Sequence, residues 1–188
     1  DGEIVTATLA GKLRNLDADS TSPIVIGDKV EIINQNDDWS IVQLFERKNF
    51  IARKSVKLSK RRHIIAANVD QCLLIVTKKS PKTSTSFIDR FLVAAQAYSI
   101  KTILIFNKFD TYKENEIKNL NQTINIYKKI GYQCLTLSTK DLLNIKNLKQ
   151  LIERKTIMLG GHSGVGKTSI VNMLKPSLNL KVSGISQH

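Results

Sequence analysis

Apolar residues keep two different spacings in this chain. In residues 1–58 they fall in short runs or alternate with polar neighbours, at 4–9, 24–26, 30–33 and 40–45. No stretch there holds a helical period over two turns. Turn formers punctuate the runs: Gly11, residues 15–23, Gly27-Asp28 and residues 34–38. Several short strands in so few residues predict a small β-barrel, of the five-stranded OB-fold type.

From residue 64 onwards strands and helices alternate. Residues 71–77 (QCLLIVT) make a continuous apolar run, the kind buried on both faces of a parallel sheet. Hydroxyls at 84–86 precede Phe87, Ile88, Phe91, Leu92, Ala95 and Tyr98 at helical spacing. Residues 101–106 (KTILIF) form the next strand. Ile117, Leu120, Ile124, Tyr127 and Ile130 mark a second amphipathic helix, stopped by Gly131. Residues 132–137 read as a strand, Leu148, Leu151 and Ile152 as one face of a short helix, and 156–159 as a further strand. The alternation predicts a doubly wound α/β sheet with ligands at the C-terminal ends of its strands. Between the two regions Ser59-Lys60-Arg61-Arg62-His63 reads as a basic linker, either a solvated hinge or a phosphate contact. The expected domains are therefore 1–58, a linker at 59–63, and 64–188.

Charge adds a class of partner. The formal net charge of +13 favours a polyanion, and nucleic acid is the commonest. Lys12, Arg14, Lys29, Arg47, Lys48, Arg53, Lys54 and Lys57 are interleaved with the predicted barrel strands. Trp39, Phe45 and Phe50 could stack on bases or sit in the barrel core. No apolar run is long enough to span a bilayer and no leader-like segment opens the sequence, so the expected location is cytoplasmic, without a membrane partner. Cys72 and Cys134, each inside an apolar run, read as buried thiols rather than as a disulfide or metal ligands.

The candidate chemistry collects at three strand ends. After the strand at 156–159 comes Gly161-His162-Ser163-Gly164-Val165-Gly166-Lys167-Thr168, then Ser169 and a helix-like pattern. This is the P-loop pattern in its strand–loop–helix setting. Its glycines let successive amides point at a phosphate, and the helix N-terminus adds unsatisfied N–H groups and a favourable dipole. Lys167 is expected on the β- and γ-phosphates, and Thr168 on a magnesium ion. Asn107-Lys108-Phe109-Asp110 follows the strand at 101–106 and resembles the guanine-specificity pattern N-K-x-D. A carboxylate such as Asp110 can accept from both guanine N1–H and the exocyclic amine, whereas adenine offers no such pair of donors. Capping of a helix by Asp110 is the alternative reading. Asn107 would hold the loop or the base, and the stem of Lys108 would cover the ring. Ser138-Thr139-Lys140, after the strand at 132–137, is similar to the S-A-K loop whose backbone amide meets guanine O6.

The order of these motifs is informative: N-K-x-D and S-T-K precede the P-loop, which implies a circularly permuted GTPase domain. With a small barrel in front, the chain resembles the small ribosomal subunit-dependent GTPase family RsgA, also called YjeQ. Gly27-Asp28-Lys29-Val30-Glu31, Arg47-Lys48-Asn49, Ile65-Ala66-Ala67-Asn68-Val69-Asp70-Gln71, Ile88-Asp89-Arg90-Phe91-Leu92 and Val182-Ser183-Gly184-Ile185-Ser186 are similar to family segments. The resemblance implies GTP and GDP as ligands, Mg²⁺ as cofactor, slow hydrolysis stimulated by the small subunit, and a role in late maturation of that subunit. Its implied partners are the small subunit and its rRNA, met by a monomer. Lys167 and Thr168 would carry the catalytic roles. The family continues past residue 188 into switch I, a D-T-P-G motif and a zinc-binding domain. No D-x-x-G and no zinc-ligand spacing occurs in this sequence. The chain is therefore expected to be a shortened or incompletely ordered form, in which Zn²⁺ has no place and hydrolysis is weak or absent. As such a fragment it would act as a guanine-nucleotide-dependent rRNA-binding module.

Overall fold

The computed structural model describes residues 3–11, 13, 22–36, 38–53, 63–138, 140 and 142–182. The chain divides into two compact units, Asp1–Val69 and Asp70–His188. In the first unit, β1 (Ala7–Leu9), β2 (Val30–Gln35) and β3 (Asp38–Leu44) form a sheet of order β1-β3-β2. β1 runs parallel to β3 and β2 antiparallel to it, with a bulge between Glu31 and Ile32. A second antiparallel pair joins β4 (Phe50–Arg53) to β5 (His63–Ala67). The region is β-structured, as its alternation predicts. Among the described residues its pairings give two sheets, linked by a lone parallel bridge from Ile26 to Ala66.

Two features depart from the pattern reading. Residues 24–26 make only that bridge, because Asp28 draws this segment into a turn: Val25 N donates to Asp28 Oδ2 at 2.8 Å. The division between units falls after Val69 and not at residues 58–64. β5 is claimed by β4, and Asn49 ties the end of the segment with two bonds, donating to Val69 O at 2.9 Å and accepting from Val69 N at 2.8 Å. Most of the expected basic linker (59–62), together with Lys12, Arg14, Lys54 and Lys57, lies outside the described residues. Arg47 is not a free surface cation. Its guanidinium grips Asp28 bidentately, Nε to Oδ1 at 2.7 Å and an η nitrogen to Oδ2 at 2.8 Å, with the Asp28 side chain 1% exposed. Phe45 is exposed, whereas Trp39 and Phe50 are half-buried.

The second unit is built on one four-stranded parallel sheet of order β8-β7-β6-β9. Its strands are β6 (Gln71–Val76), β7 (Lys101–Phe106), β8 (Gln133–Thr136) and β9 (Ile157–Gly160). Its helices are α1 (Thr85–Ala97), α2 (Glu114–Lys129), α3 (Leu142–Ile152) and α4 (Lys167–Leu174). Side chains alternate across the sheet, as a period of two demands. Leu74, Val76, Leu104 and Phe106 meet α1 and α2 through Ile88, Leu92, Leu120 and Ile124. Leu73, Ile75, Ile103 and Ile105 meet α3 and α4 through Ile145, Leu148 and Ile170. α3 starts six residues before the apolar face that Leu148 opens in the sequence, since Ile145 and Leu148 both bury on this second face. Gly131 ends α2 with a positive φ of 93°, in keeping with its expected role as a stop.

This topology places the crevice. The chain steps β6→β7→β8 in one direction, with α1 and α2 on one face, then crosses to the far side of β6 for β9. Right-handed crossovers send α3 and α4 to the opposite face. The connections leaving β6 and β9 therefore diverge to opposite faces, which is the switch point where open α/β sheets bind ligands. No helix among the described residues is long and apolar enough to cross a membrane. Breaking the Arg47–Asp28 pair tests the first unit: Asp28→Ala should lower its unfolding free energy by about 1–3 kcal/mol, because a half-buried guanidinium loses its counter-charge and Val25 N loses its acceptor. Urea unfolding followed by Trp39, the chain's single tryptophan, reads this directly, and an unchanged midpoint would contradict it.

Candidate nucleotide-binding site

The P-loop leaves β9 at the switch point. Two of its positions require glycine for reasons of space. A Cβ on Gly161, whose φ is +131°, would lie 2.3 Å from the carbonyl oxygen of Ile75. A Cβ on Gly166, at φ +98°, would lie 2.3 Å from Nδ2 of Asn107. The loop is thus pressed against β6 on one side and against the N-K-x-D segment on the other. Val165 is fully buried beneath it, and Ile170 anchors α4 in the core. Ser163 is exposed, while Gly164, Thr168 and Ser169 are half-buried. Thr168 and Ser169 lie in the first turn of α4. Lys167 lies across the loop mouth, its Nζ donating to the carbonyls of Gly161 at 2.9 Å and His162 at 2.6 Å. Burial lowers its pKa from the ordinary lysine value, so an anion in the loop would favour the charged form. The exposed His162 ring packs against Phe87 of α1, centroids 3.9 Å apart.

Asn107 comes directly after β7 and is 1% exposed. Its backbone N–H extends the sheet by donating to Val76 O at 2.9 Å. Its side chain reaches past β6 and donates from Nδ2 to Val165 O at 2.8 Å, a contact between residues 58 apart in sequence. Lys108 has left-handed backbone angles (φ 59°, ψ 32°), and its Nζ donates to Ser80 O. Burial lowers the Lys108 pKa. Thr111 donates from Oγ1 to Lys108 O at 2.7 Å and closes the turn.

Asp110 sits in a single 3-10 turn, Phe109–Thr111, without acting as the N-cap of a long helix. A hydrogen bond from Ser138, helped by Lys140, holds its carboxyl below the usual aspartate range. Lys140 Nζ lies 3.2 Å from Asp110 Oδ2, with the lysine side chain 82% exposed. Phe109, Asp110, Ser138, Lys140, Leu142 and Asn144 border an open cleft of about 510 Å³. The S-T-K loop is docked to the guanine motif by Phe109 N donating to Leu137 O at 3.1 Å. Thr139 lies outside the described residues.

All three motifs therefore stand at the C-terminal edge of one sheet, with the P-loop and N-K-x-D in direct contact. Several residues support the site through contacts that the sequence does not signal. Tyr112 donates its hydroxyl to Asn107 O at 2.7 Å and accepts from Lys78 N at 2.8 Å. Ser80 receives Lys108, Phe87 supports His162, and Phe91 fills the space that a Cβ on Gly160 would need. Helical spacing puts Phe87 and Phe91 on the apolar face of α1 but does not flag their contacts with His162 and Gly160, and Tyr112 and Ser80 lie at no spacing that periodicity or a motif picks out.

A P-loop and an N-K-x-D on strands separated by one neighbour, with N-K-x-D earlier in the chain, define a circularly permuted GTPase domain. Comparison with known proteins agrees. A family model described as RsgA GTPase matches residues 44–188. A Flavobacterium johnsoniae protein called small ribosomal subunit biogenesis GTPase RsgA is 47% identical over 99% of this chain and 58% of its own length. Bacteroides thetaiotaomicron RsgA 2 is 43% identical over 100% of this chain and 61% of its own. The chain thus spans about three-fifths of the length of these relatives. Among solved structures, YjeQ from Thermotoga maritima superposes with a TM-score of 0.78 at 34% identity, over 97% of this chain and 60% of that one. YloQ, described as a circularly permuted GTPase, gives 0.66 at 27% identity over 91% of this chain and 56% of that one. The chain belongs to the RsgA GTPase family.

The packing of Gly166 against Asn107 can be tested without a ligand. Gly166→Ala should destabilise the second unit by about 1–3 kcal/mol, from positive φ and the clash with the amide. Adding Asn107→Ala removes the clashing atom, so the double variant should be less destabilised than the two single changes summed. Thermal melts of the helical circular-dichroism signal measure the cycle, and strict additivity would show that the contact is not tight.

Proposed function

We propose that this chain binds GTP and GDP in the crevice between the P-loop and the N-K-x-D loop. The observation that carries the reading is the Asn107–Val165 bond, which fixes a guanine-type loop against a phosphate-type loop. The base goes to Asp110, whose depressed pKa keeps it a two-oxygen acceptor, matched to the N1–H and amine of guanine. Lys140 leaves the carboxylate as the base arrives, at little cost because the exposed pair is weak. Asn107 holds the loop, and the Lys108 stem covers the ring. Ser138 and Lys140 border the O6 edge. The phosphates lie in the cradle of residues 161–166, and Lys167 exchanges its two carbonyl partners for phosphate oxygens. A magnesium ion fits Thr168, a hard hydroxyl donor in the first turn of α4 beside that cradle. Bound there, it would neutralise phosphate charge.

For the full-length protein we propose GTP hydrolysis stimulated by the small ribosomal subunit and a part in late maturation of that subunit. The names of the Flavobacterium and Bacteroides relatives support this reading. The first unit would be an OB-type barrel meeting rRNA, in a monomeric cytoplasmic protein. For these 188 residues alone, nucleotide-dependent RNA binding with slow hydrolysis is favoured because the sequence contains no D-x-x-G.

Competition binding of GDP, GTP and ADP tests the site. Guanine nucleotides should outcompete ADP by orders of magnitude, and Asp110→Asn should shift preference to xanthine nucleotides, whose extra carbonyl matches an amide donor. Equal affinity for ADP would sink the guanine reading. Hydrolysis is tested separately by single-turnover assays beside a full-length relative such as the Flavobacterium johnsoniae protein. This chain should turn over far more slowly, and equal rates would overturn that part.

A further inference from the structure

The loop leaving β6 carries three lysines within five positions, Lys78, Lys79 and Lys82, and no acidic residue occurs before Asp89. The loop is closed on itself. Thr83 N donates to Thr77 O at 2.9 Å, Thr77 N donates to Thr83 Oγ1 at 3.2 Å, and the Thr77 hydroxyl donates to Pro81 O. Binding a partner would therefore cost little loop ordering. One further bond joins the loop to the guanine motif directly, Lys108 Nζ donating to Ser80 O, and a second reaches it through Tyr112, whose hydroxyl accepts from Lys78 N and donates to Asn107 O.

The three lysines are used differently. Lys79 is held by Glu116 at 2.8 Å. Lys78 and Lys82 have no ion-pair partner among the described residues. They stand on the rim of a hollow of about 300 Å³ between α1 and α2, beside the hydroxyls of Thr83, Ser84, Thr85 and Thr123. The hollow opens on the face of the sheet that α1 and α2 cover, not the face that carries α4. Paired cations among hydroxyls, with no carboxylate on the rim, are the groups that contact phosphate and sugar oxygens. An acidic protein surface could use the lysines, but the Thr83 and Ser84 hydroxyls, which accept from Thr77 N and Phe87 N and keep a proton to donate, suit the oxygen-rich backbone of RNA better.

We propose that this lysine loop is a contact for the phosphate–sugar backbone of RNA, held in place by the guanine motif. The proposal rests on the reading that the protein works on ribosomal RNA, and it places one of the contacts on the GTPase domain itself.

The test uses the full chain and a fluorescently labelled RNA hairpin, with anisotropy titrations over a range of salt. Lys78→Gln/Lys82→Gln should weaken RNA binding about tenfold or more near 0.1 M salt and reduce the log–log salt slope by about 1.4 to 1.8, the release expected from two phosphate contacts on the loop or the stem of the hairpin. GDP affinity should not change. The charge-matched Lys128→Gln/Lys129→Gln, at the far end of α2, should leave RNA affinity within about twofold of the parent, because long-range charge is screened. Unchanged affinity and slope in the loop variant, with the parent binding RNA, would overturn this proposal and leave the proposed function standing. A parent that binds GDP but no RNA would overturn both. Loss of binding to poly-L-glutamate with RNA binding intact would make the loop a dock for an acidic protein. A fall in GDP affinity with RNA binding intact would assign it to the nucleotide site.

Discussion

One side-chain amide holds the candidate site together. Asn107 extends β7 by a backbone bond to β6, and its Nδ2 then crosses to the P-loop carbonyl of Val165. The C-terminal ends of three strands are thereby coupled through one residue. The arrangement has costs that explain its neighbours. Gly166 must lack a Cβ because Asn107 occupies that space. The Asn107 Oδ1 is buried without a hydrogen-bond partner among the described residues, a deficit worth about 1–3 kcal/mol. A fold that tolerates such a deficit is holding the amide for its position, since an apolar residue there would pack at lower cost. Tyr112 secures the same residue from below, bonding its carbonyl oxygen.

Charge then gives the crevice a direction. At one end the P-loop amides, the N-terminus of α4 and Lys167 make an environment for anions. At the other end Asp110 is kept ionised by Ser138 and Lys140. A ligand with phosphates at one end and hydrogen-bond donors at the other fits in only one orientation. Burial lowers the pKa of both Lys108 and Lys167, yet each finds backbone carbonyls to solvate its ammonium group. These carbonyl contacts keep both cations in place and close to where phosphate and base would lie.

Much of this was legible in the sequence where a local pattern and the three-dimensional arrangement have the same period. β6 and β7 read as strands because both faces are buried, so nearly every position is apolar. The three motifs read as a site because each follows such a strand, and parallel strands end on the same edge. Legibility failed where one long-range contact decides the outcome. Residues 64–69 fell in the expected α/β domain until the ladder of β5 with β4 and the Asn49–Val69 bonds assigned them to the first unit. Arg47 looked like a candidate phosphate contact until Asp28, 19 residues away, proved to hold it. Periodicity placed Phe87 on the apolar face of a helix, but its contact with His162 and the role of Tyr112 carried no signal, because they depend on which loops lie beside them.

The reversed motif order shows what the geometry does and does not require. Contact between N-K-x-D and the P-loop depends on β7, β6 and β9 being neighbours in the sheet, and strand adjacency is indifferent to chain order. Permutation changes which segment enters the sheet first, and here it is the central strand β6. That strand is pinned where it starts, Asp70 N donating to Thr156 O and Asp70 Oδ2 accepting from Thr156 N at 2.8 Å. β6 and β9 are thus tied together at their beginnings by Asp70. At their ends the P-loop packs against β6 closely enough that Gly161 has no room for a side chain. The switch-point crevice is fixed from both ends of the strands that form it, by residues that come from opposite ends of the domain's sequence.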